Sequence, residues 1–246
     1  MTASGQDVWE ARRRSFGVAA ANYAAGRPGY PREVLEHCLP DGARDVLDLA
    51  AGTGPLTAGL LELGLSVVAV EPDDEMRALI PPGAHPVAGT AEQIPLPDAS
   101  VDAVFIGQAW HWFDVPRAVA EIHRVLRPGG VLAPMWNLFD ADDPLTGVLG
   151  EVGPDELSTN MPAAAPPPFD AKDLFASPER IVTRYSLRYT RERVVALVSS
   201  MSVTILATPD ERAHILDRVR AAMPDGEFDL SWVCEAWKAV RLPAIA

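Results

Sequence analysis

The sequence predicts an α/β protein built on a doubly wound, mostly parallel sheet with helices on both faces. Three observations carry this. Strand-like and helix-like segments alternate through residues 45–136. Each helix-like segment is long enough to carry a parallel strand back across a sheet. The first of these transitions, "VLDLAAGTGPLT" (46–57), passes from an apolar run through a loop of small residues straight into a helical pattern. Right-handed crossovers then bring the carboxyl ends of the strands to one edge, where open α/β sheets bind ligands.

Taken in order, "DVLDLA" (45–50) is the first strand and "PLTAGLLELG" (55–64) a helix closed by Gly64. "LSVVAVE" (65–71) is β-branched and ends in an acid, and "DDEMRALI" (73–80) is a short helix stopped by Pro81 and Pro82. "AHPVAG" (84–89) is a weaker strand and "SVDAVFIGQ" (100–108) a strong one. Apolar residues at Val115, Ala118, Val119, Ile122, Val125 and Leu126 form a helical stripe. Asp114 is placed to cap that helix, and Pro128-Gly129-Gly130 to end it. "VLAPMW" (131–136) is the fifth strand. Residues 138–170 are acidic and then Pro-rich, and read as a long loop or partial lid. Strand-like sequence resumes at 180–190, followed by a helix at 191–201. A second helix at 208–223 opens on the capping box Thr208-Pro209-Asp210-Glu211. In 228–237, Phe228, Leu230, Trp232, Cys234 and Ala236 share one face of a terminal strand.

Composition limits the partners. The 246 residues suit one α/β domain, or one with a small addition, and nearly half are apolar. A net charge of −13 repels a phosphate backbone, so nucleic acid is not an expected substrate. The triplet Arg12–Arg14 reads as a solvated helical face. Cys38 and Cys234 stand far apart in sequence, and no Cys/His cluster offers a metal site. The N-terminal stretch lacks the apolar core of a signal peptide and no segment suits a membrane span, so a soluble, cytoplasmic protein is expected, as a monomer or homodimer.

The ligand edge has its own logic. A loop with Asp48 before its glycines and no lysine opposes a pyrophosphate and favours a cationic or amine-bearing ligand. Glu71, at the end of the second strand, is where a doubly wound sheet bonds a ribose diol. The ligand expected is therefore adenosine-like without a phosphate chain. "GTAEQIPLPDASVDAV" (89–104) adds a polar turn after the third strand, and "GQAWHWFD" (107–114) brings an amide, two indoles and an imidazole to the same edge.

Together with "FGVAAANYAAGRPGYP" (16–31), "VVAVEPDDEM" (67–76) and "VLRPGGVLAPMWN" (125–137), these stretches resemble the class I S-adenosylmethionine-dependent methyltransferases. The subgroup they resemble includes the trans-aconitate methyltransferase-like small-molecule enzymes. The resemblance implies a Rossmann-like methyltransferase fold of seven strands with the last antiparallel, an N-terminal helical cap, and a helical insertion before the last strand. It implies one domain: a cap over 1–40, a cofactor-binding core over 41–137, a lid or loop over 138–170, and C-terminal strands with the insertion over 171–246. It implies S-adenosyl-L-methionine as cofactor, with Asp48, Ala50 and Gly52 along the methionine moiety, Glu71 on the ribose, Pro72 and Met76 against the adenine, and Ala91 and Glu92 at its edge. Gln108 closes the site below the sulfonium. Tyr23, Arg27 and Tyr30 lie on a segment folding over the pocket, Arg27 facing the cofactor carboxylate and Tyr30 the acceptor. Ala50 departs from the family's usual glycine, which requires that this position need no positive φ.

Methyl transfer from a sulfonium is an in-line displacement, so proximity supplies much of the rate. His111 is the candidate base where the acceptor must lose a proton, with Trp110, Trp112 and Trp136 shaping an acceptor pocket. The expected acceptor is a small molecule presenting a carboxylate, hydroxyl or amine. A nicotinamide-dependent oxidoreductase is the rival enzyme, but "AAGTGPLT" is not GxGxxG. A non-catalytic S-adenosylmethionine-binding protein is the other alternative.

Overall fold

A computed structural model describes residues 25–152 and 171–243. The helices are α1 (Arg32–His37), α2 (Pro55–Glu62), α3 (Asp74–Arg77), α4 (Val115–Val125), α5 (Pro144–Val152), α6 (Arg191–Ser199), α7 (Ser202–Leu206) and α8 (Pro209–Ala222). The strands are β1 (Asp45–Leu49), β2 (Ser66–Val70), β3 (His85–Val87), β4 (Val101–Gly107), β5 (Leu126–Phe139), β6 (Glu179–Thr190) and β7 (Glu227–Val240). They form one seven-stranded mixed sheet in the order β3-β2-β1-β4-β5-β7-β6, flanked by helices and with the last strand antiparallel. The pairings β1–β2, β1–β4, β2–β3 and β4–β5 are all parallel. The order reverses between β1 and β4, so the crevice outside those strand ends is the ligand position of this fold.

The chain divides into two compact units. The first comprises 29–137, the described part of 163–183, and 234–243. Its core is mainly aliphatic: Leu47, Leu49, Val104, Ile106, Ile122 and Leu132 are fully buried, with Trp110 and Phe175 among them. The apolar stripe read on α4 is the face that buries, through Ala118, Val119, Ile122 and Val125. The second unit comprises the described parts of 25–28, 138–152 and 184–233. Its core is aromatic in part: Phe139 stacks on Trp232 at 4.6 Å, and Tyr189 lies 6.2 Å from Trp232. Strands β5, β6 and β7 contribute residues to both units.

Two local departures have clear causes. Helix α4 stops at Val125, but the strand resumes at Leu126, before the Pro-Gly-Gly expected to separate them. Pairing jumps from Val101↔Leu126 to Ala103↔Val131, so 127–130 bulge out, with Gly129 at φ 78. Within the expected loop 138–170 the structure has a helix, α5. Asp143 starts it: Oδ1 accepts from Leu145 N at 2.8 Å and Oδ2 from Ser231 N at 2.8 Å. Leu149 then buries completely. The Pro-rich remainder of that segment, the triplet Arg12–Arg14 and Tyr23 lie outside the described residues. Among the described residues no helix is long and apolar enough to cross a membrane, and no cluster of His, Cys, Asp and Glu suits a metal ion.

Candidate functional site

The loop between β1 and α2 sets the site. Ala50 (φ 60), Gly52 (φ 58) and Gly54 (φ 86) alternate in the left-handed region, which turns the backbone sharply at the carboxyl end of β1. Ala50 therefore does adopt the positive φ that an alanine was expected to avoid. A left-handed alanine costs about 1–2 kcal/mol, whereas glycine adds about 0.4–1 kcal/mol of unfolded-chain entropy. Ala50→Gly is accordingly expected to stabilise the protein slightly, by about 0.5 kcal/mol in chemical denaturation. At Gly54 the close neighbour is protein: a Cβ there would lie 2.4 Å from Pro81 Cδ. Pro81, read as a helix stop, also packs under the loop.

Asp48 is 1% exposed. Its Oδ2 accepts from Thr57 Oγ1 at 2.6 Å, while Oδ1 is buried without a partner. Burial pushes its carboxyl up to about 7, the Thr57 bond opposes the rise, and nearby Glu71 adds to it. Glu71, also buried, accepts from Gly52 N at 2.8 Å through Oε2 and from Asp73 N at 3.0 Å through Oε1. It thus fastens the first loop to the end of β2. Its pKa is raised by burial, against those two backbone bonds. Arg77 donates to the carbonyls of Glu71 (2.8 Å) and Pro72 (3.3 Å), fixing the turn that carries exposed Pro72 and buried Met76.

Beyond β3, Ala91 is buried, and Glu92 Oε1 accepts from Asp114 N at 3.0 Å. That bond joins the polar turn to the start of α4. The segment is held from behind by Arg124, which donates to the carbonyls of Ile94 and Leu96 and pairs with Asp98 and Glu121. Gln108 follows β4 at φ 59, and like Ala50 is a non-glycine residue in the left-handed region. Its Nε2 donates to Asn137 O at 2.7 Å. Asn137 Nδ2 in turn donates to Gly29 O at 3.0 Å, and its buried Oδ1 has no partner. Tyr30 follows Gly29 and lies over Gly107, where a Cβ would meet its hydroxyl at 2.5 Å.

The short 3₁₀ turn Trp110–Trp112 separates the aromatic residues. Trp110 is 3% exposed, sits in the core and packs on Phe113 at 5.9 Å. Trp112 and Trp136 are partly buried at the rim of that core. His111 has an exposed surface, but its ring lies 4.8 Å from that of Trp112. Desolvation by its surroundings lowers its pKa, to about 4. The imidazole is neutral at pH 7 and a weaker base than usual.

Arg27 belongs to the second unit, where it donates through Nε to Ser200 Oγ (3.1 Å) and through a terminal nitrogen to Ser200 O (3.3 Å), at the end of α6. The sequence reading missed Thr57, the partner of Asp48, and the Asn137 bonds. A threonine in the first turn of the helix after the glycine loop was the available signal for Thr57.

Four buried polar atoms at this edge have no partner among the described residues: Asp48 Oδ1, Thr53 Oγ1, Trp136 Nε1 and Asn137 Oδ1. Buried polar groups are rarely left unbonded, so the edge is built to receive hydrogen bonds from something else. Two acceptors, a hydroxyl and an indole N–H suit a ligand with an ammonium, a carboxylate and hydroxyls, as S-adenosylmethionine has. A doubly wound sheet with this strand order, an acid near the end of β1 before a glycine loop and an acid following β2 defines a class I S-adenosylmethionine-dependent methyltransferase.

The comparisons with known proteins agree. A methyltransferase domain matches residues 47–133. The chain is 43% identical over 225 residues to an uncharacterized methyltransferase of Mycobacterium tuberculosis (strain ATCC 25618 / H37Rv), covering 89% of this chain and 88% of the relative. Over 142 residues, 48% of each chain, it is 41% identical to the malonyl-[acyl-carrier protein] O-methyltransferase of Methylococcus capsulatus. A solved structure from Anaeromyxobacter dehalogenans, described as a type II methyltransferase, matches with a TM-score of 0.62 and 27% identity, over 88% of this chain and 99% of that one. The chain belongs to the class I methyltransferase family, and S-adenosylmethionine is its cofactor. These relatives do not bear on the trans-aconitate subgroup.

Proposed function

We propose that the enzyme methylates a carboxylate oxygen of a small molecule. The observation that carries this is His111, the one imidazole at the edge, held neutral with its pKa below the usual range. General-base catalysis works best with a pKa near the working pH. A weakened imidazole is a poor base for a phenol or an amine, whereas a carboxylate is already ionised at pH 7 and has no proton to lose. The name of the Methylococcus relative, an O-methyltransferase acting on a malonyl group, supports the same reading.

When bound, S-adenosylmethionine supplies an electrophilic methyl group on a sulfonium. The protein's part is to bind and orient. Glu71 retains lone pairs for the ribose hydroxyls beyond the two N–H groups it accepts. Asp48 Oδ1 takes an ammonium N–H, with Ala50 and Gly52 letting the backbone come close. Met76 and Pro72 flank the adenine, with Ala91 and Glu92 at its edge. Gln108, held by Asn137, bounds the cofactor half of the edge, and Trp112, Trp136 and Tyr30 line the acceptor half. Such alignment is worth roughly 7–11 kcal/mol when the reacting atoms are held in line.

The test uses S-adenosylmethionine labelled in its methyl group and a mixture of small carboxylic acids, phenols and amines. A methyl ester releases labelled methanol in alkali, and an ether or methylamine does not. Base-labile product is expected; base-stable product alone would reject the carboxylate assignment. His111→Ala is expected to keep turnover at saturating S-adenosylmethionine within about threefold and to leave its dependence on pH between 6 and 8 the same as the parent's, whereas loss of a working base costs about 10²–10⁴. A loss of that size would return His111 to the base role.

A further inference from the structure

The chain passes between the two compact units at Pro28–Gly29 and again at Asn137–Leu138. Within the first unit, the hydrogen bond from Asn137 Nδ2 to Gly29 O ties together the two ends of the segment 29–137. Asn137 is 5% exposed, and three of its polar groups are divided: Nδ2 holds Gly29, the main-chain carbonyl holds the Gln108 amide at 2.7 Å, and Oδ1 is buried with no partner among the described residues. Gln108 needs such support, because its backbone sits at φ 59 without being glycine.

Strand order says which half of the site this serves. Asp48 and Glu71 stand at β1 and after β2, on the cofactor side of the reversal. Asn137 is on β5, two strands from β1, or ~10 Å at ordinary strand spacing. Gly29 fixed there carries Tyr30 over Gly107, beside Gln108.

We propose that Asn137 is a positioning residue for the transfer: its side-chain amide pins the Gly29–Tyr30 strap, its carbonyl aims Gln108, and its Oδ1 receives an O–H or N–H of the acceptor. The last element rests on the reading of β4–β5 as the acceptor half; the pinning does not depend on which atom is methylated. An acceptor of this kind carries a hydrogen-bond donor besides its carboxylate. A site with a buried, otherwise unbonded acceptor disfavours analogues that lack the donor.

The experiment places 3-fluorotyrosine at the four tyrosines and assigns Tyr30 by the ¹⁹F resonance missing in Tyr30→Phe. In the parent the Tyr30 resonance is expected to be displaced from the free-tyrosine position. In Asn137→Ala it should move to that position, while the dissociation constant of S-adenosylhomocysteine, measured by calorimetry, stays within about threefold. Val119→Ala, a core change on α4, should lower the melting temperature without moving the resonance, which separates a latch from general loosening. Gly107→Ala provides a second route, since its Cβ displaces the Tyr30 hydroxyl while leaving Asn137 intact; the same shift is expected, and it carries the test if Asn137→Ala fails to fold. An unmoved Tyr30 resonance in Asn137→Ala overturns the pinning. A rise of more than about tenfold in the dissociation constant overturns the acceptor-side assignment. Failure of S-adenosylhomocysteine to bind the parent would instead strike the cofactor site itself.

Discussion

Glu71→Ala is expected to weaken S-adenosylhomocysteine binding by more than tenfold and to destabilise the free enzyme at the same time. The two effects have one origin. Each oxygen of the buried carboxylate already accepts a backbone N–H, from Gly52 and from Asp73, and has a lone pair left. A ribose diol bonded to those lone pairs makes charge-assisted hydrogen bonds of roughly 1.5–3 kcal/mol each. Losing even one exceeds a factor of ten, because 1.4 kcal/mol is tenfold. Truncation also strips a partner from Gly52 N, which leaves the loop at Ala50–Gly54 without its tie to β2. Glu71→Gln is expected to fare little better, since its amide nitrogen would face an N–H donor on one side. The check is calorimetry together with thermal melts, in which ligand at a hundred times its dissociation constant raises parent stability by about 2.7 kcal/mol. A lower melting temperature with unchanged affinity would reduce Glu71 to a loop fastener.

That double role marks what the sequence could convey. Strand and helix identity along 45–137, and again at α8, was legible because these elements keep one period and meet a clear boundary: Gly64 after α2, Asp114 before α4, the Thr208–Glu211 box before α8. The capping box is present as read, with Thr208 N donating to Glu211 Oε2 at 2.9 Å. Helix α5 was hidden because Gly147 and Gly150 weaken its propensity and its cap, Asp143, stands in a run of acids that reads as loop. At the site, strand-end position identified Asp48, Glu71 and Gln108, since a strand's end is a local property. What these residues bond is a tertiary property, and it was not visible. Nothing in "GTAEQIP" shows that Glu92 will hold the N–H of Asp114. Nothing in "AWHWFD" separates the core ring of Trp110 from the rim ring of Trp112. The left-handed Ala50 shows the same limit from the other side, because the side chain is small enough to be tolerated and so gives no warning of the strain.

The largest effect expected of a single substitution is at Asp48, and it runs in opposite directions for stability and for binding. The carboxyl is buried, with Thr57 donating to one oxygen, the other oxygen unbonded among the described residues and the acid Glu71 as the charged group facing it. An unfolded aspartate titrates near 3.9, whereas this one is raised to about 7. Between those values the folded chain holds a proton that the unfolded chain has shed. Stability is therefore greatest below about pH 4, declines as pH rises through the window, and is lowest above about pH 7, the total change being at most about 4 kcal/mol. Asp48→Asn removes the charge and keeps an oxygen for Thr57, so the variant should be more stable than the parent at pH 8 in urea unfolding and should lose this slope. Binding moves the other way. An ammonium beside Oδ1 favours the carboxylate, so parent affinity for S-adenosylhomocysteine should fall as pH drops below 7, approaching tenfold per unit, with protons released on binding. In calorimetry the parent's apparent heat at pH 6 should vary with the protonation enthalpy of the buffer, and that of Asp48→Asn should vary less, with weaker affinity throughout. Equal affinity in the two proteins at pH 8 would mean that the ammonium lies elsewhere and that the buried charge of Asp48 serves the loop alone.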